Sequence, residues 1–99
     1  MARAGERAQP RRMALYFFDT RDNDEFVEDD VGLEFPDIET VKVQAAKALA
    51  ELARDVIPGS VRRHLSVEVR DEAGPVLIAM MMFEAIILRT AQASGVSTG

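Results

Sequence analysis

Pro75-Val-Leu-Ile-Ala-Met-Met-Met-Phe-Glu-Ala-Ile-Ile-Leu88 is the stretch that decides how this chain must fold. Only Glu84 interrupts its apolar run, and apolar and polar positions do not alternate. A strand with one wet face alternates. This run instead sets Val76, Ile78, Met80 and Met82 on one side and Leu77, Ala79, Met81 and Phe83 on the other, which demands cover on both faces. Residues Leu77 to Leu88 also suit a buried helix, and periodicity does not separate the two. The turn Asp71-Glu-Ala-Gly74 just before, and a length matching its neighbour, favour a strand through about Glu84.

Immediately upstream, Leu65-Ser-Val-Glu-Val-Arg70 alternates cleanly, with Leu65, Val67 and Val69 inward and Ser66, Glu68 and Arg70 outward. A basic loop, Ser60 to His64, separates this strand from the best-defined helix. There Ile38, Val41, Ala45, Leu49, Leu52 and Val56 recur at steps of three and four. Asp37 is placed to cap the helix, Glu39 favours its dipole, and Pro58-Gly59 ends it. Further upstream, Met13 to Thr20 is an aromatic-rich strand, Asp22-Asn23-Asp24 a turn and Phe26-Val27-Glu28 a returning strand. Asp29-Asp30-Val31-Gly32 is a second turn before the short extension Leu33-Glu34-Phe35. The order strand, strand, helix, strand, strand predicts an α+β domain over 13–89. Two β-hairpins form a four-stranded antiparallel sheet with one long helix on one face.

Residues 1–12 read as a disordered basic tail and 90–99 as a flexible polar one. The pattern begins at Met13, which is a candidate natural start. Ninety-nine residues give one small core and little room for a deep catalytic cavity. Without cysteine there is no disulfide framework or thiolate chemistry, which suits the cytoplasm. No run reaches the length of a membrane span, and no export signal is read.

Charge is uneven: residues 1–12 carry +3, residues 13–40 carry -9 and the remainder +1. An acidic first hairpin repels phosphate and argues against nucleic-acid binding by the folded body. Tyr16, Phe17 and Phe18 do not form a base-stacking platform, because neighbours on a strand face opposite ways and no basic residues interleave with them. His64, the only histidine, lies in an arginine-rich loop without a serine elbow, so no triad is expected. The acids from Asp19 to Asp30 miss the calcium-loop spacing: counted from Asp22, the fifth and sixth positions are Phe26 and Val27. Met80-Met81-Met82 alternate sides and do not share a ligand geometry. No catalytic residue, cofactor or metal ligand is assigned.

At Leu15-Tyr-Phe-Phe-Asp19, Asp30-Val-Gly-Leu-Glu-Phe-Pro-Asp37, Ala45 to Asp55 and Val67 to Val76, the chain resembles a widespread family of small bacterial proteins. That family is common in rhizobia and shares a domain of unknown function. The resemblance spans most of Met13 to Phe83 and implies a fold and a bacterial cytoplasmic setting, not an activity. The first turn departs from it in lacking a glycine, and the last strand in being more apolar. More distantly, Phe35-Pro-Asp37 and the following helix resemble the HicB-type antitoxin domain, which implies a small protein partner.

The expectation is therefore a non-enzymatic interaction module that self-associates through the sheet, most simply as a dimer. Its interface candidates are Val76, Ile78, Met80, Met81, Met82 and Phe83. The alternatives are an antitoxin-like domain and a small metal-dependent enzyme using the acidic hairpin.

Overall fold

The computed structural model describes residues 12–89, so the two expected tails, all but Arg12, lie outside the described residues. The elements are β1 (Ala14–Asp22), β2 (Glu25–Val27), β3 (Leu33–Phe35), α1 (Ile38–Val56), β4 (Arg62–Asp71) and β5 (Gly74–Glu84). The α+β architecture is as expected: one helix lies on an antiparallel sheet in the order β2-β1-β4-β5, with β3 pairing the start of β1. The short extension at Leu33 is thus a fifth strand. The run from Pro75 is strand to Glu84 and irregular from Ala85 to Leu88.

Two-residue turns join both hairpins. Asn23 takes a left-handed φ of 56°, which asparagine tolerates better than most side chains. Its N–H donates to the His64 carbonyl (2.8 Å) and its Oδ1 accepts from the His64 N–H (2.8 Å), docking the turn on β4.

Asp37 caps α1, its carboxylate accepting from the Thr40 N–H at 2.9 Å. From there Val41, Ala45 and Leu49, spaced by four, bury one stripe against Leu65, Val67 and Val69 of β4. Phe18 meets Phe35 edge-on (centroids 5.7 Å apart) and helps close this core. Ile38, at the head of the stripe, stays largely exposed. Beyond Pro58 and Gly59, the Ser60 hydroxyl donates to the Val56 carbonyl and accepts from Arg63 Nε (2.8 Å). Arg63 Nη1 reaches Asp22 at 2.6 Å, which ties the helix end to β1.

The two sides of β5 differ from strict alternation at one point. Val69 pairs with Leu77 but Arg70 with Pro75, so a bulge leaves Val76 without a partner across the ladder. Val76 consequently packs against the core with Leu77 and Ala79, not beside Ile78.

Leu65 is only 2% exposed at the centre of the helix–sheet contact. Leu65→Ala should lower the unfolding free energy by about 2 to 5 kcal/mol. Urea denaturation checks this, and a loss below about 1 kcal/mol would contradict a core centred on β4.

Candidate functional site on the outer face of the sheet

The face turned away from α1 is ordered by the register. Asp19, Glu68 and Ile78 form one row across β1, β4 and β5, and Arg21, Ser66 and Met80 form the next. His64 and Met82 form a third. The first two rows run from polar side chains on β1 and β4 to an apolar one on β5, and the third from His64 to Met82.

One end of this face carries its own cover. The segment 28–32 between β2 and β3 folds over Phe17, Asp19 and Arg70. Arg70 Nε donates to Asp19 Oδ2 (2.9 Å), its Nη2 donates to the Asp29 carbonyl (2.9 Å), and its guanidinium lies 4.5 Å from the centroid of Phe17. Asp19, 5% exposed, also accepts from the Asp29 N–H at 2.9 Å. The Asp29 carboxylate accepts from the N–H groups of Phe18 (3.0 Å), Val31 (3.0 Å) and Gly32 (3.2 Å). It fills the gap between β2 and β3 along the edge of β1. Gly32 has φ 78°, and a Cβ there would lie 3.0 Å from Leu15, Phe17 and the Tyr16 carbonyl, so only glycine closes the segment without strain.

Electrostatics follow from these contacts. Burial alone would raise the Asp29 pKa, but three backbone donors and the Arg70 charge outweigh it and hold the carboxyl below the ordinary aspartate range. Arg21 Nε donates to Glu68 at 2.7 Å, and this bond, opposed by burial and aided by the Ser66 hydroxyl, holds Glu68 low. Of the acids from Asp19 to Asp30, Asp19 pairs with Arg70, Asp22 with Arg63 and Asp29 with backbone. Among the described residues no three histidine or acidic side chains converge to hold a metal. The His64 side chain is exposed, with Asn23 engaging only its backbone.

The β5 end is open. Ile78, Met80 and Met82 are 56%, 71% and 71% exposed and border a shallow depression of about 350 Å³ with Arg21, His64 and Ser66. The six interface candidates therefore do not form one patch. Ile78, Met80 and Met82 share the outer face. Met81 and Phe83 stand opposite Leu65 and Arg63 on the helix side, and Val76 is half-buried against the core. The network of Asp19, Asp29 and Arg70 has only a partial signal in the sequence. Asp29 followed at three residues by Gly32 is a local turn signal, but Arg70 lies 51 residues from Asp19 and no spacing points to it.

Over residues 15–83 the chain matches the family described as a domain of unknown function, DUF6894. The chain belongs to that family. Its shared region runs from β1 to the end of β5, so it includes both the self-covered and the open parts of the outer face. No curated protein and no solved structure matches the chain. Among the described residues no helix is long and apolar enough to cross a membrane.

Because the Asp29 pKa is lowered on folding, its stabilisation is present above the unfolded aspartate pKa of about 3.9 and is lost as pH falls through the lower folded value. Asp29→Asn removes one acceptor and should cost about 1 to 2 kcal/mol at pH 7. Urea melts of both proteins should converge as pH is lowered below about 4. A pH-independent difference would rule out the charge as its source.

Proposed function

We propose that this protein is a non-enzymatic interaction module that self-associates through the sheet around β5. The observation that carries this reading is the exposure of Ile78, Met80 and Met82, three successive same-face side chains on one strand. Single exposed apolar residues are ordinary on soluble proteins, whereas a contiguous apolar row marks a contact surface. Ile86, Ile87 and Leu88 follow directly and are 70%, 79% and 92% exposed, which extends the row beyond the strand.

Magnitudes are compatible with a weak association. Burying what remains exposed of Ile78, Met80 and Met82 on two copies is worth roughly 6 to 12 kcal/mol. Bringing two bodies together costs about 4 to 15 kcal/mol. The apolar row alone therefore gives a marginal dimer, and additional polar pairing decides its affinity. A cytoplasmic setting agrees with a chain that has no cysteine.

Met80 makes little contact within its own protomer, so Met80→Glu should leave the protomer folded while placing a charge in the contact. Thermal melts at two concentrations tenfold apart test this. The unaltered protein should melt higher at the higher concentration, and the variant should melt at one temperature throughout. Concentration-independent melting of the unaltered protein would overturn the reading.

A further inference from the structure

The parity of backbone hydrogen bonds shows which groups of β5 remain open. Along an antiparallel strand, residues direct their N–H and C=O alternately to one neighbour and the other. Phe18 directs its N–H to Asp29 on the β2/β3 edge, so Phe17, Asp19 and Arg21 face β4. Their partners Arg70, Glu68 and Ser66 face β1 in turn, which leaves Leu65, Val67 and Val69 to bond Met81, Ala79 and Leu77. The bond from the Ala85 N–H to the Val61 carbonyl at 2.9 Å keeps the same parity. By elimination Ile78, Met80 and Met82 point their N–H and C=O away from β4. No described strand pairs with that edge. Pro75, opposite Arg70, contributes no N–H, so the open donors begin beyond it.

The same three residues thus present both exposed apolar side chains and backbone groups that no described strand pairs. Long apolar edges of this kind are templates for another strand, and natural proteins ordinarily break them with charge. Between Gly74 and Phe83 this edge has none.

Resting on the self-association reading, we propose that two copies join edge to edge through β5. The strands run antiparallel about a two-fold axis at Met80, which makes one continuous sheet. This register sets Met80 opposite Met80 of the second copy and Ile78 opposite Met82 of the second copy. A shift by two residues in one direction brings Glu84 into the apolar row, and in the other it meets the bulge at Val76. A second copy fits as the occupant because a two-fold axis at Met80 sets only large apolar side chains of the outer face, Ile78, Met80 and Met82, against one another. Charge points the same way. The -9 carried by residues 13–40 includes the acids of β2 and β3, on the far edge of the sheet from β5. β2 and β5 are three strand spacings apart, about 14 Å, beyond the screening length of about 8 Å at physiological salt. Pairing through β5 keeps the two acidic edges farthest apart. It supplies backbone hydrogen bonds and sets the two apolar rows side by side on one face, where Ile78, Met80 and Met82 pack laterally against their counterparts.

Amide hydrogen exchange read residue by residue by NMR, on the full chain, tests the arrangement with light scattering on the same samples. In a sample that scatters as a dimer, the amides of Ile78, Met80 and Met82 should exchange at least tenfold more slowly than after dilution to monomer. Those of Leu77, Ala79 and Met81, bonded to β4, should be protected in both samples. A dimer in which the three edge amides still exchange freely would overturn edge pairing and leave association through the face. A protein that stays monomeric, with its edge amides open, would overturn the self-association reading itself and leave the edge to an extended segment of another protein. As an independent check, Met80→Cys introduces the chain's only thiol, and oxidation should link two copies at that position but not at Ile78→Cys. Equal linking at both would contradict the register.

Discussion

A single helix shelters one face of a sheet, and everything distinctive about this molecule follows from that limit. α1 lays Val41, Ala45 and Leu49 on Leu65, Val67 and Val69 and so completes the only core that the described residues form. The opposite face must be polar, covered by other parts of the chain, or covered by something else. All three solutions occur on the same face, in different places. β1 and β4 carry polar rows, the segment between β2 and β3 covers Phe17 and Asp19, and β5 is left with its apolar row in water.

The covered end shows what internal closure of a sheet face requires. Asp29 replaces a missing strand partner for Phe18, Arg70 neutralises the buried Asp19 and lies on Phe17, and Gly32 lets the chain pass over Leu15 without a side chain. A buried carboxylate is tolerated there because it is paired and hydrogen-bonded. Among the described residues nothing equivalent covers β5. The two ends therefore differ in kind: one is a finished surface and the other has the chemistry of a strand awaiting a neighbour.

Much of this was legible in the residues. The spacing of Ile38 to Val56, the cap at Asp37 and the stop at Pro58-Gly59 fixed the helix, and the alternation of Leu65, Val67 and Val69 gave the sign of the sheet faces. The absence of alternation from Val76 pointed to a strand with two apolar sides. What was not legible depended on contacts distant in sequence. Leu33 to Phe35 has no signal of its own as a strand and becomes one only because β1 is long enough to pair with it. The bulge that turns Val76 into the core arises from register between two strands, and the alliance of Arg70 with Asp19 and Asp29 joins segments about forty to fifty residues apart. Six interface candidates read from one run of sequence thus resolve into three on the outer face, two on the helix side and one against the core.

The central claim is that β5, with its apolar row, is where a second copy of the chain docks. Light scattering from the unmodified protein across low to high micromolar concentration measures this directly. The account expects a weight-average mass rising from one 10.9 kDa chain toward two. A mass that stays at one chain throughout, with the protein folded and monodisperse, would contradict it.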